Sequence, residues 1–118
     1  MAIAAIRYDI KGGHEKEIEE IFGGFRRVGA ADVPGNPGTR ILGTALFIRD
    51  DTMVRFIEYE GDLDVVARHM ASHPGVQEIE RKLAPYLTKP RDTGTVDGFV
   101  ATFQRSLLRC ISQLSVKE

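Results

Sequence analysis

Residues 52–87, TMVRFIEYEGDLDVVARHMASHPGVQEIERKLAPYL, set a strand, a turn and two helices in immediate succession, and the fold follows from them. In a strand over 52–59, side chains alternate between faces: Met53, Arg55, Ile57 and Tyr59 share one side, Val54, Phe56 and Glu58 the other. Both sides are largely apolar, so two layers compete for this strand, and one of its faces carries an arginine in its middle. A guanidinium is costly to bury without a carboxylate, a ligand or water beside it. Arg55 is therefore either a snorkelling side chain on a half-covered face or a group aimed into a cavity. After Gly61, Asp62 has the chemistry of a helix cap, and Leu63, Val66, Ala67 and Met70 recur on one helical stripe. Pro74 disfavours helical geometry at His73 and suits the first turn of a new helix, so the axis breaks there and restarts through Val76, Ile79 and Leu83. Pro85 ends that helix and leaves Tyr86 and Leu87 to dock.

Working outward, residues 2–10 alternate as a strand with Ala4, Ile6, Tyr8 and Ile10 on one face and Ile3, Ala5, Arg7 and Asp9 on the other. Lys11-Gly12-Gly13 turns the chain into an amphipathic helix over 14–25, with Ile18, Ile21, Phe22 and Phe25 on its apolar stripe and glutamates opposite. Residues 26–40 carry glycines and prolines without periodicity, bracketed by Arg26, Arg27 and Arg40, and are expected to form a loop that serves as a lid over a cavity. Residues 40–49 alternate as a second strand, and Asp50-Asp51 turns it into the strand at 52–59 as an antiparallel hairpin. Beyond Leu87, a polar connection leads to a short helical turn at 98–103 and a last strand at 106–114.

The order strand, helix, strand, strand, helix pair, strand is an α+β pattern. It predicts a ferredoxin-like βαββαβ domain over residues 1–118, with a four-stranded antiparallel sheet and its helices on one face. The other face, presenting Ile3, Ala5, Met53, Ile57, Phe47 or Leu46, is then bare in a monomer. Two such sheets meeting in a homodimer would hide it and enclose a cavity. A net charge of −1 offers no electrostatic reason for nucleic acid or an anionic membrane as partner, and no segment approaches the ~18 apolar residues of a membrane span. The single Cys110 excludes an internal disulfide and sits without a catalytic signature between apolar residues, where packing is its expected role. With no basic leader before an apolar run, a cytoplasmic location is expected. His69 and His73 lie four apart, but no HExxH glutamate stands between them and no zinc spacing occurs, so no metal is expected.

The run FIEYEGDLDVVARHMASHPGVQEIERKLAPYL (56–87), the later CISQL, and the earlier GGHEKEIEEIF and RILGTALFIRDD resemble the SchA/CurD-like proteins encoded with aromatic polyketide pathways for spore pigments and antibiotics. The pattern IE, SHP, QE, YL is similar, over about half of the chain, to tetracenomycin-type polyketide cyclases. That second resemblance implies a dimeric α+β barrel of ferredoxin-like halves, acting without cofactor in intramolecular aldol ring closure of a poly-β-ketone. In those cyclases a histidine lines the cleft at the position Arg55 holds here. An arginine cannot act as a base at neutral pH, so any mechanism resting on that histidine does not transfer.

For ring closure, Arg55 suits a developing oxyanion, with Arg7 or Arg40 assisting and Met53, Ile57 and Tyr59 lining the substrate's chamber. His69 and His73 are candidate bases because imidazole titrates near neutrality, and Asp9, Glu58 or Glu60 would serve if desolvated. For His73 the competing reading is a bond to backbone at the helix break; for His69 it is a partly exposed surface position. Two functional alternatives stand beside the cyclase or accessory cyclisation role: a cofactor-free anthrone-type monooxygenase, and a non-catalytic dimer that shields a polyketide or contacts the synthase.

Overall fold

The computed structural model describes residues 2–23 and 33–114. Phe25 and residues 26–32 of the expected lid, Arg26 and Arg27 among them, lie outside them. Strand β3 (Thr52–Glu60) runs down the middle of the sheet. It pairs antiparallel with β1 (Ala2–Asp9) on one side and with β2 (Arg40–Arg49) on the other, in the order β1-β3-β2. The two-residue turn between β2 and β3 is the expected hairpin: Asp50 adopts a left-handed φ of 54°, which asparagine and aspartate tolerate best after glycine, and its N–H donates to Glu15 Oε1 at 2.7 Å.

Helices α1 (Glu15–Gly23), α2 (Leu63–Ser72), α3 (Pro74–Leu83) and α4 (Val96–Ser106) form the second layer, α2 packing on α3, α4 and β3, α1 on α3, and α4 on β1. The break between α2 and α3 falls at His73, which has an extended backbone, donates its N–H to Met70 at the end of one helix and accepts the Gly75 N–H on Nδ1 at the start of the next. Pro74 occupies the first turn of α3, where its missing N–H costs nothing. Asp62 caps α2 by accepting from Asp64 N at 2.8 Å.

Gly61 has no substitute in that turn. Its φ is +90°, and a Cβ there would collide with Thr39 backbone and hydroxyl, which accepts the Asp62 N–H at 3.3 Å. The end of the 26–40 loop is thereby latched to the turn that opens α2.

Cross-strand register assigns the two faces. Opposed residues point the same way, so the rows Ala4–Ile57–Thr44, Ile6–Arg55–Leu46 and Tyr8–Met53–Ile48 lie on one face. Ile6, Tyr8, Met53 and Ile57 on it are at most 2% exposed, in one cluster with Ile18, Val66, Met70, Leu83, Phe99 and Phe103 from the helices. The opposite face carries the rows Ile3–Glu58–Gly43, Ala5–Phe56–Ala45 and Arg7–Val54–Phe47 and stays partly exposed, Phe47 by 62%.

Four expectations are overturned. Met53, Ile57 and Leu46 lie on the covered face, and the apolar residues of the open one are Ile3, Ala5, Val54, Phe56, Ala45 and Phe47. The turn at 98–103 is part of an eleven-residue helix, started by Thr95, whose hydroxyl accepts the Gly98 N–H at 3.0 Å. Among the described residues the sheet has three strands, not four.

The expected last strand makes one bridge, Leu107 opposite Ile6, and one further bond, Leu108 N–H to the Ala5 carbonyl at 2.8 Å. It then leaves the sheet, with Ile111 and Leu114 at 85% and 91% exposure and Cys110 exposed rather than packed. Among the described residues no helix is long and apolar enough to cross a membrane.

Candidate functional site

The buried centre of the sheet holds a charge. Arg55 is 5% exposed, set in the row between Ile6 and Leu46 on the helix-covered face. Its Nε donates to the hydroxyl of Tyr8, the diagonal neighbour on β1, at 3.2 Å, and its Cζ lies 5.6 Å from the centroid of the Phe22 ring near the end of α1. The last turn of α1 carries no basic residue of its own, and helix C-termini favour a cation. No carboxylate pairs with Arg55 among the described residues.

A guanidinium has five N–H donors. Phenol and ring account for one donor and one face, so the group is positioned without being neutralised. Such an arrangement supplies fixed donors and positive charge to an oxygen that becomes anionic, in surroundings where the interaction is strong.

Tyr8 and Phe22 form this environment and were not singled out from the sequence. The available signal was register: once β1 and β3 are paired antiparallel, the even residues of β1 share Arg55's face, and only Tyr8 among them has a polar tip. Tyr8 is also engaged through its ring, with Arg91 Cζ 4.3 Å from the centroid. Arg91 Nε in turn stands 3.4 Å from Glu80 Oε2, both side chains being less than a tenth exposed.

The other candidates divide by position. Met53 and Ile57 flank Arg55 on its face at 1% and 0% exposure, and half-buried Tyr59 continues that row. Arg40 is exposed at the start of β2, opposite Glu60. Arg7 projects to the open face, opposite Val54, and its Nε lies 3.3 Å from Asp9 Oδ1; it points away from Arg55. Asp9 and Glu58 also belong to the open face.

His73 spends Nδ1 on the Gly75 N–H at 3.0 Å. His69, half-buried on the last turn of α2, has a buried Nε2 with no hydrogen-bond partner among the described residues. No hydrogen bond joins either histidine to Arg55 among those residues. Nor do three or more His, Cys, Asp or Glu side chains there form a metal-binding group.

This architecture has solved and curated counterparts. The structure superposes on tetracenomycin F2 cyclase from Streptomyces glaucescens, described as a type-II polyketide cyclase, with a TM-score of 0.61 at 18% identity, over 99% of this chain and 100% of that one. At that identity the likeness is one of fold.

In sequence the chain is 31% identical over 107 residues to the 42.8 kDa protein of the whiE locus of Streptomyces coelicolor, and 31% identical over 111 residues to the polyketide synthase CurD of Streptomyces cyaneus. It is 32% identical over 88 residues to protein SchA of Streptomyces halstedii. These matches cover 91%, 94% and 75% of this chain but only 26%, 29% and 22% of the relatives, so the chain spans about a quarter of their length. The profile of the SchA/CurD like domain matches residues 1–116, and the chain therefore belongs to the SchA/CurD-like domain family.

Proposed function

We propose that this domain acts in aromatic polyketide biosynthesis as a cofactor-independent cyclase or accessory cyclisation unit, closing a ring by intramolecular aldol condensation and dehydration. The observation that carries the reading is the buried Arg55 guanidinium, oriented by Tyr8 and Phe22 and without a carboxylate partner among the described residues. A purely structural arginine at that depth would be expected to have a carboxylate beside it.

In this reading a methylene between two carbonyls loses a proton to a base. The resulting enolate carbon forms a C–C bond to a ketone carbon of the same chain, the alkoxide takes up a proton, and water leaves as the ring becomes aromatic. Arg55 holds the oxygen on which negative charge develops, and its guanidinium serves as a hydrogen-bond donor throughout. His69 Nε2, buried and without a hydrogen-bond partner among the described residues, is the nitrogen assigned to the proton transfer. Met53, Ile57 and Tyr59 give the apolar surroundings in which a folded polyketone reacts without water, and confinement itself lowers the barrier.

The partly exposed open face supports a homodimer formed sheet to sheet around Phe47, Phe56 and Val54. Synthase components remain the natural source of substrate.

The test is incubation of the products of the upstream synthase with wild-type protein and with Arg55→Met, with and without oxygen, followed by product mass. Loss of water with the wild type, and at least about a hundredfold less of it with the variant, is expected from removal of one oxyanion donor. A gained oxygen assigns the domain to cofactor-free oxidation. Unchanged products assign it to shielding or scaffolding.

A further inference from the structure

The edge of β1 where a fourth strand would run is met at two points by other segments. Leu107 bridges Ile6 in the middle of the strand, and Leu87 bridges Ile10 just past its end, with Thr88 N–H donating to the Asp9 carbonyl at 3.0 Å. Between these contacts lies a pocket of about 150 Å³ whose lining includes Arg7, Lys89, Arg91, Arg105, Thr102 and Ser106. We infer that this pocket is a binding site for a phosphoryl group, a phosphate monoester or diester, held at the β1 edge independently of the ring-closure reading.

Charge is the first ground. The four cations are set against Asp9, which pairs with Arg7, and Glu80, which pairs with Arg91, leaving two positive charges in a chain whose net charge is −1. Lys89 and Arg105 have no carboxylate partner among the described residues.

Construction is the second. Arg91 is fixed on three sides: by Glu80, by the Tyr8 ring at 4.3 Å, and by Ser106 Oγ, which accepts from its Nη1 at 3.2 Å. Arg105 Nη2 donates to Thr102 Oγ1 at 3.2 Å, while both hydroxyls are anchored in turn, Thr102 to the Asp92 carbonyl at 2.9 Å and Ser106 to the Thr102 carbonyl at 2.8 Å. The guanidiniums are thus oriented before any ligand arrives, and little side-chain entropy is left to lose for them.

Shape is the third. The donors come from a strand, a connecting segment and a helix, so they converge from several directions. That suits a tetrahedral anion with three or four acceptor oxygens better than a planar carboxylate, which a single arginine fork satisfies. A volume of about 150 Å³ is the space of about five waters, enough for one phosphoryl group with its nearest solvent.

Calorimetric titration with inorganic phosphate, dimethyl phosphate and acetate tests the assignment, beside the same titrations of Lys89→Ala/Arg105→Ala, whose two exposed side chains can be removed without disturbing the core. Saturable binding of inorganic phosphate with a Kd of about 1 mM or tighter at low salt is expected. It should weaken at least about tenfold in the double variant and fall as salt is raised. Binding of dimethyl phosphate as well assigns a diester, and its failure a monoester. No saturable phosphate binding, undiminished binding by the double variant, or acetate bound as tightly as phosphate would each overturn the inference.

Discussion

The central rows of the sheet's two faces reverse the usual distribution of polarity. The covered face, under four helices, contains a guanidinium; the open face, with no charge in its central row, shows Ala5, Phe56 and Ala45 to the outside. A buried cation with no carboxylate beside it among the described residues and a partly exposed apolar row are each costly in a lone subunit. Their pairing on opposite sides of one strand teaches that β3 meets two different surroundings, a packed layer of helices on one side and a partly covered surface on the other.

The contrast breaks most visibly at adjacent residues of β3. Ile57→Lys introduces an unpaired charge at a position of 0% exposure, and a loss of more than about 4 kcal/mol is expected, a large part of a domain's total stability, read as unfolded protein by circular dichroism. Phe56→Lys, one residue away and facing outward, is expected to keep the native spectrum while sedimentation moves to the mass of a single chain. A Phe56→Lys protein of unchanged assembly would remove the open face from any role in association.

A finer distinction comes from Tyr8. Tyr8→Phe keeps the ring beneath Arg91 and takes the hydroxyl from Arg55, so a loss of about 1–3 kcal/mol is expected in urea unfolding. That loss should shrink in an Arg55→Met background, because the two substitutions act on one hydrogen bond. Additive losses would mean that the phenol serves something else. The smallest effect belongs to the helix junction: His73→Ala should cost about 1 kcal/mol by removing the acceptor for Gly75 N–H, and His73→Asn should restore most of it.

Much of this was legible from residue spacing. The alternation in β3, the aspartate turn and the proline at the α2–α3 break each have a local cause, and the structure has them where the residues require. The choice of covered face was not legible, because Met53, Ile57, Val54 and Phe56 make both sides apolar and only the helices decide between them. The last strand failed for a related reason. Leu108, Cys110, Ser112 and Leu114 alternate well enough, but alternation does not say whether a segment stays on its own sheet. Helix α4 was underestimated because its start is a polar run whose Thr95 cap is visible only beside the Phe99, Val100 and Phe103 stripe it serves. Within the candidate site, Arg55 stood out as a charge in an apolar strand, whereas Tyr8 and Phe22 acquire meaning from tertiary neighbours.

The register shift between Ile41 and Gly43 has a consequence for how copies of this chain can meet. Strand β2 is an outer strand, with an irregularity near one end and exposed Arg40 and Arg49 at its two termini. Such features discourage a neighbouring molecule from zipping onto the ladder. Growth of the sheet sideways into ribbons is thereby obstructed, whereas a contact through the broad surface would close on itself by two-fold symmetry and go no further.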